Sequence, residues 1–122
     1  MTKQRNVVAV VDDCEMMRDA LEHLLSAAGY RAELFASAEA FICGASKSEA
    51  CCLVVDIQLG DISGVELARQ LCATGFEFPI IFMTGSSDET VRRQALEFGC
   101  VAFLHKPFPV DQLIEAIVKA TA

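Results

Sequence analysis

Residues 7–13 read VVAVVDD, an unbroken apolar run that ends at two adjacent aspartates. Three later runs share this design, because each is continuously apolar and is followed at once by a polar residue. They read CLVVD at 52–56, IIFMT at 80–84 and VAFLHK at 101–106. Continuous apolar runs are typical of strands that are covered on both faces of a parallel sheet. The sequence therefore predicts inner strands with polar side chains at their carboxyl ends.

A fifth strand and five helices complete an alternating pattern. In the run 32–35, Glu33 lies between apolar neighbours, and this alternation favours an edge strand. Helices joined to parallel strands by right-handed crossovers give a doubly wound α/β sheet with helices on both faces. The predicted strands are 7–11, 32–35, 52–55, 80–83 and 101–104, and the predicted helices lie at about 17–28, 38–41, 64–74, 87–98 and 110–118.

Composition limits the classes of protein that remain. The chain has 122 residues, which predicts a single domain over 1–122, and 53% of them are hydrophobic. Its net charge of −7 argues against nucleic-acid binding by this domain and against an anionic membrane surface. No apolar run reaches the ~18 residues of a membrane span and none resembles a signal peptide, so we expect a cytoplasmic protein.

Burial is predicted from the same pattern. No two of the six cysteines form a C-x-x-C pair, so we expect reduced cysteines that are mostly buried as small apolar residues. Cys72 is placed on the inward face of its helix. In the last helix the inward positions are Val110, Leu113, Ile114, Ile117 and Val118.

The polar residues after the inner strands form the candidate site. Functional crevices of open parallel sheets lie beyond the carboxyl ends of the strands, so these side chains are expected to meet. Clustered carboxylates repel one another strongly unless a positive charge lies among them, and an all-oxygen ligand set suits Mg²⁺. A lysine and a hydroxyl beside the metal suit a bound anion, which indicates phosphoryl transfer to an aspartate. The residues are Asp12, Asp13, Asp56, Thr84 and Lys106.

Together with Pro107, these five residues resemble the receiver domain of bacterial two-component response regulators. The likeness covers residues 7–119 and includes the spacing between the site residues. The stretches FASAEAFI at 35–42, PIIFMTG at 79–85 and FLHKPF at 103–108 resemble the receivers of FixJ-like regulators, which are transcription factors. The resemblance implies a five-stranded parallel sheet of flavodoxin-like order 2-1-3-4-5.

The resemblance implies a role for each residue of the site. Asp56 is implied to accept a phosphoryl group from a sensor histidine kinase, and Lys106 to pair with that group. Asp13 is implied to bind Mg²⁺ directly and Asp12 largely through metal-bound water. Asp56 and the backbone carbonyl of Gln58 are implied to complete the protein ligands. The chain is then a phosphoacceptor switch with at most slow self-dephosphorylation, and not an enzyme.

The resemblance also implies how the signal leaves the site. Thr84 is expected to donate its hydroxyl to the phosphoryl group, and Phe103 to turn inward as the aromatic switch. The affected surface is the helix after Thr84, the fifth strand and the last helix, through which related receivers dimerise on phosphorylation. Lys106–Pro107 is expected to be a cis peptide. The output is expected to be transcriptional control.

One departure from the family pattern follows the phosphoacceptor. Where the usual pattern has Met-Pro, this chain has Leu59 and Gly60. Leu59 keeps an apolar contact, whereas Gly60 makes the loop more flexible. This leaves the rigidity of the loop and the metal affinity of the site open, but it removes no functional group. Asp61 adds a negative charge nearby.

Four alternatives stay open at this point. A dehalogenase-type hydrolase would need D-x-D after the first strand, and a flavodoxin-like cofactor binder would need a hydroxyl-rich phosphate loop there. Neither matches Asp12-Asp13. The others are a stand-alone regulator that acts by protein contact, and a receiver that is used without phosphorylation.

Overall fold

The computed structural model describes residues 4–60, 62–76, 78–85, 93–94, 97 and 100–121. The strands are β1 (Gln4–Val11), β2 (Arg31–Phe35), β3 (Ala50–Asp56), β4 (Ile80–Thr84) and β5 (Cys100–His105). The helices are α1 (Glu15–Ala27), α2 (Ala38–Gly44), α3 (Gly64–Ala73) and α4 (Val110–Thr121), with a short 3₁₀ turn at Ala45–Lys47. In the described part of the chain no helix is long and apolar enough to cross a membrane.

The strands form one parallel sheet in the order β2-β1-β3-β4-β5. This is the predicted doubly wound order 2-1-3-4-5, so the fold class is confirmed. β2 lies at one edge of the sheet, as its alternating sequence indicated. β5 lies at the other edge, so the prediction of an inner strand at 101–104 is wrong, and Val101, Ala102 and Phe103 are accordingly only partly buried. All five predicted strands are present, each extended by one to three residues at its ends.

Two apolar layers cover the sheet and explain the unbroken runs. On β1, Val7, Ala9 and Val11 pack into the layer beneath α2 and α3. Val8 and Val10 alternate with them and pack into the layer beneath α1 and α4. Successive strand residues point to opposite faces, so a strand buried on both sides must be apolar at every position.

The helix ends show ordinary capping chemistry. The Oγ atom of Ser37 accepts a hydrogen bond from Ala40 N at 3.0 Å, and α2 begins one residue after this cap. Ser63 Oγ accepts one from Glu66 N, also at 3.0 Å, at the start of α3. Gly29 and Gly75 have φ angles of 91° and 85°, which suit glycine just past a helix end. The predicted helix at 87–98 lies outside the described residues apart from the helical pair 93–94 and residue 97.

Two expectations about burial are wrong. Cys72 is exposed, as are Cys14 and Cys43, and among the described cysteine side chains Cys52 alone is fully buried. Cys14 is the N-cap of α1, and Cys43 and Cys72 lie near the carboxyl ends of α2 and α3. Val110 and Val118 at the two ends of α4 are 40% and 54% exposed, while Leu113, Ala116 and Ile117 are buried. The apolar stripe of α4 is wider than the surface that the sheet offers.

Candidate functional site at the carboxyl edge of the sheet

The carboxyl ends of β1, β3, β4 and β5 bring the predicted site residues to one edge of the sheet. Asp12 directly follows β1, Asp56 ends β3, Thr84 ends β4 and Lys106 directly follows β5. The pairing of β4 with β5 places Thr84 opposite His105, and the pairing of β3 with β4 places Asp56 opposite Met83. The strand ends are therefore nearly level, and residues that are far apart in sequence meet.

Lys106 is the central contact of the site. Its Nζ atom donates a hydrogen bond to Asp56 Oδ2 at 2.7 Å and lies 3.5 Å from Asp12 Oδ2. The side chain of Asp12 is fully buried, and those of Asp56 and Lys106 are 11% and 24% exposed. Ion pairs with this little water contact are screened far less than surface pairs. One ammonium group thus compensates two carboxylates.

Burial and charge act in opposite directions on the titration of this group of residues. Desolvation by burial raises the pKa of Asp12, although a hydrogen bond from Cys14 N and the charge of Lys106 oppose it. Burial lowers the pKa of Lys106, but its hydrogen bond to Asp56 and the charges of Asp56 and Asp12 together raise it above its ordinary value. The lysine therefore stays protonated at neutral pH.

The backbone around Asp12 is held on both sides. Its N–H donates to Phe35 O at 3.1 Å, and its carboxylate Oδ1 accepts from Cys14 N at 2.9 Å. Its carbonyl accepts a hydrogen bond of 2.8 Å from Nη1 of Arg18 on α1. Arg18 was not among the predicted site residues. The only sequence signal for it is an arginine about one helical turn into the helix that follows the acidic pair.

The turn after β3 is fixed by Asp56 itself. Asp56 Oδ1 accepts a hydrogen bond from Gln58 N at 2.9 Å, while the side chain of Gln58 is exposed. The backbone of Ile57 is held by Met83 O at 2.9 Å. A Cβ atom at Gly64 would lie 2.7 Å from Asp56 O, so the close approach of α3 to the strand end requires glycine.

The remaining predicted residues occupy different depths at this edge. Thr84 is fully buried, and its carbonyl accepts a 2.7 Å hydrogen bond from Lys106 N. Phe103 is half-buried and packs against the apolar layer that contains Phe82, its partner on β4. Asp13 is exposed, with Oδ2 near Gly60. The structure therefore brings Asp12, Asp56 and Lys106 into contact and leaves the Asp13 carboxylate at the rim. The Lys106–Pro107 peptide is cis, as expected.

The oxygen ligands at this edge fit a hard divalent cation. Within the described residues, no three His, Cys, Asp or Glu side chains are already arranged as a metal cage. Mg²⁺ does not need one, because it commonly takes one or two carboxylates and keeps several waters. The carboxylates of Asp12 and Asp56 beside Lys106, with the exposed Asp13 at the rim, are oxygen ligands of that kind.

The fold and site define a doubly wound α/β protein with an acidic, lysine-containing site at the carboxyl edge of its sheet. The chain belongs to the response regulator receiver domain family, whose family model matches residues 8–118. This is the receiver domain of two-component signalling systems, and the family consists of signalling switches and not of classical enzymes. The family match removes the hydrolase and cofactor-binding alternatives.

Several relatives support a FixJ-like receiver. The chain is 37% identical to the transcriptional regulatory protein FixJ of Bradyrhizobium diazoefficiens, over 93% of this chain and 55% of that protein. It is 33% identical to the response regulator protein TmoT of Ectopseudomonas mendocina, over 96% of this chain and 53% of that protein. The crystal structure of FixJ-N matches with a TM-score of 0.90 at 37% identity, covering 97% of this chain and 94% of that one. The chain thus spans about half the length of the curated relatives it matches.

Proposed function

We propose that residues 1–122 form a single receiver domain that is switched by phosphorylation of Asp56. The donor is a sensor histidine kinase, and the output is control of transcription. The observation that carries the proposal is the 2.7 Å contact between Lys106 Nζ and Asp56 Oδ2 at the carboxyl ends of β3 and β5. A lysine in contact with a buried carboxylate can pair with the negative charge of a group that the carboxylate accepts.

The transfer balances as a simple displacement. A carboxylate oxygen of Asp56 attacks phosphorus, the bond from phosphorus to the donor nitrogen breaks, and its electron pair leaves with that nitrogen. A proton from water then neutralises the donor. Lys106 remains charged and pairs with the phosphoryl oxygens in place of the carboxylate oxygen that has reacted.

The acidic residues at this edge are the proposed Mg²⁺ ligands. Asp13, Asp56 and the carbonyl of Gln58 would hold the ion directly, and Asp12 through water. When bound, the cation offsets the negative charge that a phosphoryl donor brings to three carboxylates. Asp12 contributes as a buried charge whose carboxylate is already oriented by Cys14 N.

The proposed switch consists of Thr84 and Phe103. The buried Thr84 turns its hydroxyl to the phosphoryl group and vacates space that the half-buried Phe103 fills. Because Phe103 already packs against the apolar layer around Phe82, the change is a shift between two packings of one core.

An apolar groove beside the site is the proposed docking surface for the kinase. It has a volume of about 440 Å³ and lies between Met17, Leu21 and Leu24 of α1 and residues 106–108. Met16, which is 82% exposed, stands on the same helix near the acidic pair. Lys106 lines both the groove and the site, so a docked partner sits directly beside Asp56.

Dimerisation is the proposed consequence of phosphorylation. The surface comprises the predicted helix after Thr84, β5 and α4. Asp111 and Glu115 are exposed on α4, and the exposed Arg93 carries the opposite charge. Arg92 and Val91, which we also expect there, lie outside the described residues. Each pair occurs twice in a two-fold interface, so a charge reversal such as Arg93→Glu is costly. Light scattering tests this, and a phosphorylated chain that is monomeric at ~100 μM contradicts it.

Acetyl phosphate tests the proposed chemistry without a kinase. With Mg²⁺ present, the intact mass of the chain should increase by one phosphoryl group, and removal of the metal should abolish the increase. Asp56→Asn should lose the adduct, whereas Asp19→Asn, an exposed aspartate on α1, should keep it. An unchanged adduct in Asp56→Asn would overturn the proposal.

A further inference from the structure

The missing side chain of Gly60 faces the carboxylate of Asp13. A Cβ atom at position 60 would lie 3.2 Å from Asp13 Oδ2, closer than an ordinary van der Waals contact. Gly60 does not have a positive φ angle, so an L-residue fits its backbone without strain. The backbone at position 60 therefore accepts a side chain. Whether the space between residue 60 and the Asp13 carboxylate is filled depends on which residue stands at position 60.

Asp13 differs from the other two carboxylates in how it is held. Asp12 and Asp56 are both buried and both lie within ion-pair distance of Lys106. Asp13 is exposed, and no described cation lies within that distance of it. Among the described residues, no ion pair therefore limits the range over which its carboxylate moves. On the loop side, Gly60 lies beside this carboxylate.

We propose that residue 60 is a positioning residue for Asp13, and that glycine there lowers the Mg²⁺ affinity of the site. This inference rests on the proposed function, because it takes Asp13 as a metal ligand. A ligand side chain must be ordered when it captures a metal, and ordering costs conformational entropy. A Cβ at position 60 removes part of the space open to the Asp13 carboxylate beforehand, so less entropy is lost on binding.

Isothermal titration of Mg²⁺ into the chain tests the inference. Gly60→Ala should bind Mg²⁺ roughly threefold more tightly, because the Asp13 side chain is confined in advance. Asp13→Asn should bind it more weakly. In the Asp13→Asn background, the effect of Gly60→Ala on Mg²⁺ affinity should be largely lost, because the metal-binding carboxylate that it confines is gone. The two single variants and the double variant form a double-mutant cycle, which isolates the interaction between positions 13 and 60.

Gly44→Ala is the matched control. A Cβ at Gly44 would lie 3.7 Å from the ring of Phe35, an ordinary contact, and this glycine is also without a positive φ angle. Both substitutions reduce the entropy of the unfolded chain in the same way. Gly44→Ala should therefore share any general gain in stability and leave Mg²⁺ binding unchanged.

Each outcome separates the inference from the proposed function. If Asp13→Asn binds Mg²⁺ as tightly as the unaltered chain, the proposed metal ligand is wrong. If Asp13→Asn binds weakly but Gly60→Ala changes nothing or weakens binding, the inference alone is overturned. An equal gain from Gly60→Ala in both backgrounds would assign the effect to loop stiffness, which also overturns the role of Asp13.

Discussion

The ammonium group of Lys106 lies 2.7 Å from Oδ2 of Asp56, although the two residues are 50 positions apart in the chain. The contact forms because β3 and β5 both end at the same edge, one on each side of β4. It is also the reason that the pKa of Lys106 is raised in spite of burial. A group whose folded-state pKa is raised stabilises the fold below its unfolded pKa and loses that contribution as pH rises through the folded value.

Removal of the Lys106 charge should destabilise the metal-free protein. Lys106→Met leaves two buried carboxylates without their shared counter-charge, and the free energy of unfolding should fall by roughly 1–3 kcal/mol. Urea denaturation measures the difference, which should shrink when Mg²⁺ is added. It should also shrink as pH rises above the folded-state pKa of Lys106.

The exposed Lys119 of α4 provides the control for this prediction. Lys119→Met should change stability by less than ~0.5 kcal/mol at every pH. A Lys106→Met protein that is as stable as the unaltered chain without metal would show that the ion pair does not stabilise the fold.

Neutralising Asp12 should have the opposite effect at neutral pH. Burial raises the pKa of Asp12, so its charged form is disfavoured in the folded state and costs stability above that pKa. Asp12→Asn keeps an acceptor for Cys14 N and should stabilise the metal-free chain at pH 7 on the order of 1 kcal/mol. The gain should disappear as pH falls below the unfolded value of 3.8.

Asp19→Asn is the control for Asp12→Asn, because Asp19 is an exposed aspartate on α1. Its stability should follow that of the unaltered protein throughout the pH range. Urea denaturation curves at several pH values measure the free energy of unfolding of both variants and of the unaltered protein. A loss of stability for Asp12→Asn at pH 7 contradicts the account of its burial.

The fold and much of the site were predictable because they depend on local chemistry and on topology. The unbroken apolar runs at 7–11 and 52–55 required two covered faces, and Ser37 and Ser63 cap helices by contacts within three residues. Once the strand order is given, the strand ends bring Asp56 and Lys106 together. Leu59 also keeps the expected apolar contact with the core.

Other features depend on surfaces that a sequence pattern does not show. The bond from Arg18 to the carbonyl of Asp12 involves a backbone acceptor, which carries no sequence signal. Val118 and Cys72 are exposed near the carboxyl ends of their helices, although the hydrophobic pattern places both on the inward face. Hydrophobic periodicity gives the direction of a face but not the extent of the surface that it meets.

The hydroxyl of Thr84 should couple phosphorylation to Phe103. Thr84→Ala should still accept a phosphoryl group, but the environment of Phe103 should no longer change, because no hydroxyl is drawn to the phosphoryl oxygens. Fluorine NMR of fluorophenylalanine-labelled protein, with Phe103 assigned by Phe103→Leu, measures this. Thr84→Ser retains the hydroxyl and should retain the response. An unaltered response in Thr84→Ala would exclude Thr84 from the switch.

The side chain of Gln58 should set the lifetime of the phosphoryl group. It is exposed at the mouth of the site, while its backbone N–H is held by Asp56 Oδ1. Gln58→Leu removes a polar side chain from the mouth of the site and keeps the backbone contact to Asp56. It should change the rate of self-dephosphorylation by up to roughly tenfold, ~1.4 kcal/mol in the barrier. Gln70→Leu on α3 is the control. Decay rates that are the same for Gln58→Leu and the control would refute the prediction.

The central claim is that Asp56 carries the phosphoryl group, and chemical trapping tests it most directly. The chain is incubated with acetyl phosphate and Mg²⁺ and reduced with borohydride, which converts an aspartyl phosphate to homoserine. It is then digested and sequenced by mass spectrometry. We predict homoserine at position 56 alone, and none when Mg²⁺ is withheld. Homoserine at Asp12 or Asp13 with position 56 unchanged would contradict the account.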